Sequence, residues 1–101
     1  MAKYTHTDEI PGKSATDIYQ ASINAFEKAG FEVWKERPLA WLSLARKMED
    51  GKEISANLAA RATVPTSYTL TLAADGLPEE TLKAHAEVFL NAFFDLLSEK
   101  N

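Results

Sequence analysis

Between Phe31 and Ala74 apolar and polar residues alternate with period two, and three turn signals cut the alternation into four short runs. Period two is the spacing of side chains on opposite faces of a strand, so this middle stretch must be sheet. Runs joined by tight turns must pair antiparallel, which predicts a meander of four strands. The first turn is Arg37–Pro38–Leu39–Ala40, where proline presets one turn dihedral and cannot serve a central ladder. The second is Glu49–Asp50–Gly51, read as a three-residue hairpin loop with glycine in the left-handed position. The third is Pro65–Thr66–Ser67.

Strand registers can be chosen by requiring one apolar face, because a slip of one residue moves every apolar side chain to the wrong side. Opposing Arg37 with Ala40, Met48 with Lys52 and Val64 with Tyr68 collects Phe31, Val33, Leu42, Leu44, Ile54, Ala56, Leu58, Ala60, Leu70 and Leu72 on a single face. That face is the expected core. Large apolar side chains central to each element, Phe26, Leu44, Leu58, Leu70, Phe89 and Phe93, are expected to dominate it.

The flanks supply the cover. Residues 2–10 alternate, with Tyr4, His6, Asp8 and Ile10 on one side, and Pro11–Gly12 closes a first strand. Ser14 and Asp17 have capping-box spacing, Ile18, Ser22, Ala25, Phe26 and Ala29 recur at helical intervals, and Gly30 follows. A helix over 15–29 is predicted. Pro78–Glu79–Glu80 starts a second helix that reaches about Glu99, with a stripe of Leu82, Ala86, Phe89, Phe93 and Leu96. The expectation is an α+β fold: a five-stranded antiparallel sheet in the order β-α-β-β-β-β-α, with both helices on one face. This order resembles that of the fold group containing the TATA-binding protein repeat and the helix-grip ligand carriers. The resemblance covers nearly the whole chain but is one of topology, without a shared motif, so it implies a fold and assigns no residue a role.

A length of 101 residues allows one hydrophobic core, hence one domain over 1–101. The 46% hydrophobic and 26% charged composition is that of a folded globular chain. Cysteine is absent, which excludes disulfides, thiolate metal sites and a cysteine nucleophile. The formal charge of −4, with basic residues dispersed among acidic ones, opposes binding to phosphate backbones, so no nucleic acid is expected. No run approaches a membrane span and the first residues lack a signal-peptide apolar stretch, so a cytoplasmic location and no membrane partner are expected. Two histidines far apart make neither a zinc site nor another metal centre, and no cofactor is expected.

Two functional readings remain. In the first the chain is a non-enzymatic binding module, homodimeric through its open sheet face or meeting another protein there. The registers above place Trp41, Ala59 and Ala73 in one row of that face and Trp34, Ser43 and Asn57 in the next, with Arg61 toward the rim. A flat neutral area between two tryptophans suits a contact, although threonine-rich antiparallel faces also occur simply as good strand formers. Phe94, flanked by Lys83 and Glu87 on the helix, is a second exposed candidate. In the alternative the chain is a small-ligand carrier or enzyme with a pocket between helices and sheet. Its candidate lining is His6, Asp8, Tyr19, Lys35, Tyr68 and His85. His6 and Asp8 share a strand face, and a carboxylate can orient an imidazole base, but without an accompanying nucleophile or glycine-rich loop no catalytic residue is assigned. Lys35 and Arg46 would sit at the margin of the core face and extend to water or meet a ligand carboxylate. A pocket predicts a void of ~300 Å³ or more beneath the helices; an interaction module predicts a filled interior.

Overall fold

The computed structural model describes residues 1–99. Five strands and two helices follow one another: β1 (Ala2–Glu9), α1 (Ala15–Lys28), β2 (Glu32–Arg37), β3 (Leu42–Glu49), β4 (Lys52–Arg61), β5 (Ser67–Ala74) and α2 (Glu79–Glu99). A 3-10 turn, Pro38–Ala40, lies between β2 and β3. All pairings are antiparallel and the sheet order is β1-β5-β4-β3-β2, with β1 and β2 at the edges. Both helices cover the same face.

Helix α1 starts and stops where its sequence signals say. Ser14 accepts the Asp17 N–H, and Asp17 in turn accepts the Ser14 N–H, closing a capping box. At the other end Gly30, at φ +87°, lets its N–H reach Glu27 and the Phe31 N–H reach Phe26, a Schellman closure. Helix α2 begins behind Pro78, whose carbonyl accepts from Thr81 and Leu82.

The β3–β4 hairpin departs from the expected register. Asp50 and Gly51 both have positive φ, at 53° and 75°, and Glu49 pairs with Lys52, so the loop has two residues rather than three. Asp-Gly is the preferred pair for such a turn, whose twist matches that of the strands. The one-residue change inverts β3. Ser43, Ala45 and Lys47 face the helices, while Leu42, Leu44 and Arg46, all expected on the core side, face outward. Leu44 is thus no core residue, and Lys35 and Arg46 are not pocket-margin residues.

Beyond the β3–β4 turn, β2 joins β3 through a bulge between Val33 and Lys35. Val33 opposes Ala45 on the core face, but Lys35 opposes Leu44 on the outer face and Glu36 opposes Ser43. One inserted residue restores the pattern that the β3 inversion would otherwise break. Between β4 and β5 the register is shifted by four from expectation, with Ala60 rather than Val64 opposite Tyr68. An even shift keeps every side chain on its expected face.

The interior is filled with aromatic and aliphatic side chains. Ile18, Phe26, Ile54, Leu58, Tyr68, Leu70, Leu72, Leu82, Phe89 and Phe93 are fully buried. Phe26 of α1 meets Phe89 of α2 at 4.3 Å between ring centroids, and Phe89 stacks on Phe93 at 5.4 Å. At the end of α2 Leu97 is buried and the expected Leu96 only half-buried. The inverted β3 puts Ser43 in the core, facing the buried Ser22 of α1. They satisfy each other: Ser22 and Ser43 hydroxyls lie 2.9 Å apart, and Ser22 donates to the Tyr19 carbonyl at 2.6 Å. Small side chains at Ser43, Ala45, Ala56 and Ala60 fill the sheet surface beneath the helices.

Candidate interaction surface

The open face of the sheet follows from the registers. One row runs Thr7, Thr69, Ala59, Leu42, Arg37; the next runs Thr5, Thr71, Asn57, Leu44, Lys35; a third runs Lys3, Ala73, Ser55, Arg46, Glu32. The first two rows are uncharged over four strands and meet charge only at β2. Thr7 and Thr69 hydroxyls bond each other at 3.1 Å, which ties β1 to β5 on this face. Arg46 and Glu32 pair at 3.1 Å along the third row. Trp34, at the bulge beside Leu44, extends the apolar area and is half-exposed, while the exposed Met48 lies on the same face beyond the Arg46–Glu32 pair. Lys35 lies with its ammonium 6.0 Å from the Trp34 ring.

Of the residues the sequence suggested for this surface, the structure gathers Trp34, Asn57, Ala59, Arg61 and Ala73 on it. Ala59 and Ala73 do not share a row: Ala59 opposes Leu42 and Thr69, whereas Ala73 opposes Ser55 and Lys3. Trp41 is elsewhere. It ends the 3-10 turn in the left-handed conformation, at φ 50°, and packs half-buried against the core. Its carbonyl accepts the Ala60 N–H at 3.0 Å. Phe94 belongs to the helical layer, 6.5 Å from Tyr68 and 5.5 Å from Phe93 between centroids. Leu42, Leu44 and Met48 were missed, and the Asp50–Gly51 pair was the signal that would have found them.

The six suggested pocket residues separate into four places. His6, Asp8 and Tyr68 come together where β1 meets β5: Asp8 opposes Tyr68, and the His6 and Tyr68 rings are 5.9 Å apart. Burial, then the nearby Asp8 and Tyr4, pushes the Tyr68 hydroxyl's pKa above the ordinary tyrosine range. That hydroxyl is buried without a hydrogen-bond partner among the described residues. Tyr19 lies on α1, and burial followed by Glu36 raises its pKa too. Lys35 is on the opposite face of the sheet.

His85 occupies the fourth place. Lys47 donates to the Ala29 carbonyl at 3.0 Å and lies 3.2 Å from His85 Nδ1, while His85 Nε2 is 3.6 Å from Glu49. An ammonium has no lone pair, so Nδ1 must accept and Nε2 carries the proton toward Glu49. This chain of groups fastens the end of α1, β3 and α2 together.

Surface hollows lie beside Gly30 and Arg46, beside Met1 and Asp75, and along Glu36–Ala40. Among the described residues no three His, Asp or Glu side chains converge on a metal position, and no helix is long and apolar enough to cross a membrane.

No protein-family model matches the chain, and no curated protein does. Among solved structures, one similar chain is the crystal structure of Ara h 8.0201, at 13% identity and a TM-score of 0.44, with 96% of this chain and 99% of that chain covered. The likeness is too loose to bear on function, and the fold described above rests on the registers of this chain alone.

Proposed function

We propose that the protein is a non-enzymatic interaction module that self-associates by stacking its open sheet face on that of a second copy. One observation carries this reading: two adjacent rows, through Thr5, Thr71, Asn57 and Leu44 and through Thr7, Thr69, Ala59 and Leu42, cross four strands without a charge. A face kept for water alone normally places long charged side chains there. The filled aromatic interior supports the same choice, because the space a ligand would need beneath the helices is taken by Phe26, Phe89, Phe93 and Tyr68. A twofold symmetric contact needs only one self-complementary patch, and small threonines and Ala59 let two sheets approach to about 10 Å. Ala59→Arg places a charge in the middle of that contact. Sedimentation equilibrium should show the parent self-associated and the folded variant one step smaller; identical behaviour of the two would refute the face contact.

A second reading, a small ligand held near α2, is favoured by the unpartnered Tyr68 hydroxyl beside His6 and Asp8. Denaturing mass spectrometry of natively purified protein tests it. A stoichiometric small molecule present in the parent and lost in Tyr68→Phe would support it.

A further inference from the structure

The two edges of the sheet are not alike. Edge β2 is broken by its bulge and followed by Pro38, features that keep another strand from pairing. Edge β1 has neither. It runs regular and unbulged from Ala2 to Glu9 against β5, without proline or glycine.

The phase of its outward hydrogen-bonding groups can be read from the ladder. Ile10 donates its N–H to the Thr66 carbonyl at 2.7 Å, in register with the β1–β5 pairs. Alternation therefore turns the even residues of β1 toward β5 and directs the N–H and C=O of Lys3, Thr5, Thr7 and Glu9 outward. Asp8 Oδ1 covers the Glu9 N–H at 2.8 Å, a local bond that an incoming carbonyl would replace.

We propose that β1 pairs antiparallel with β1 of a second copy about a twofold axis at His6, so that two five-stranded sheets become one continuous sheet. The sequence of the strand selects that register. Only pairings that keep the core face continuous are allowed, which sets the axis on a residue rather than between two. Centring on His6 opposes Thr5 with the second copy's Thr7 and Lys3 with the second copy's Glu9, each an outward-pointing pair that exchanges both backbone bonds. The symmetry creates the Lys3–Glu9 pair twice. On the core side the same register sets Tyr4 opposite the second copy's Asp8. Centring on Thr5 leaves Lys3 facing a threonine, and centring on Thr7 shortens the paired stretch and leaves Lys3 beyond it. At equal paired length charge complementarity selects His6 over Thr5, and length excludes Thr7.

The edge contact is independent of the face contact: its axis is perpendicular to the sheet, whereas face stacking uses an axis between two sheets. Both together give a tetramer with two crossed twofolds. Analytical ultracentrifugation of the full chain separates them. Glu9→Lys sets two lysines opposite each other twice and should weaken the edge contact about tenfold. The double variant Lys3→Glu/Glu9→Lys should restore it. Thr5→Pro removes an outward N–H, leaves the β5 ladder intact, and should abolish the contact in a chain that circular dichroism shows folded. Association unchanged in Glu9→Lys and Thr5→Pro overturns the edge proposal, whether or not Ala59→Arg disrupts the face. Failure of the charge swap to rescue overturns the register, and a parent chain that stays monomeric overturns both contacts.

Discussion

Tyr68 is a fully buried side chain whose hydroxyl has no hydrogen-bond partner among the described residues. Burying a hydroxyl without a partner costs more than the hydroxyl returns, so Tyr68→Phe should stabilise the fold by about 1 kcal/mol in urea unfolding. A loss of stability instead would mean that the oxygen is bonded to a water or a ligand. The raised pKa has its own consequence. The folded chain keeps the phenolic proton above pH about 10, where the unfolded chain releases it, so the unfolded state binds fewer protons and stability falls as pH rises further. Below that pH the contribution is complete. Tyr68→Phe should flatten the alkaline decline without removing it, since Tyr19 is shifted in the same direction. Truncation of Phe89, packed between Phe26 and Phe93, to alanine should cost ~3–5 kcal/mol.

At the scale of elements, the hairpin at Asp50–Gly51 decides which side chains the sheet shows to solvent. Gly51→Ala forces a non-glycine residue to φ 75° and should cost about 1–2 kcal/mol, read as a lowered urea midpoint with an unchanged slope. The same hairpin marks where the sequence was legible and where it was not. Helix starts, helix stops, the five strands and the placing of both helices on one side of the sheet could be read, because capping residues, proline, glycine and hydrophobic period are local signals. The β3 register depended on whether Glu49 belonged to the loop. Hydrophobicity misled there, because Leu42 and Leu44 look more like core than Ser43, Ala45 and Lys47 do. Their burial is instead satisfied by partners remote in sequence: Ser43 by Ser22, Lys47 by Ala29 and His85. Trp41 was misplaced for the same reason, as its left-handed backbone has no signature in side-chain alternation. Lys47→Met should cost about 1–2 kcal/mol, because it strips a donor from the last turn of α1 and from His85.

For the whole molecule, one layer of helices leaves one face of the sheet and one regular edge uncovered. In the proposed assembly each takes a contact, and the uncharged rows of the face meet their counterparts on a second copy. Hydroxyl-radical footprinting at low and high protein concentration reads this residue by residue. Trp34, Leu42 and Leu44 should become protected as concentration rises, while Val88, exposed on α2 on the other side of the sheet, should label equally at both. Equal labelling of Leu42 and Leu44 at both concentrations, or protection confined to Val88 and Phe94 on α2, would contradict it.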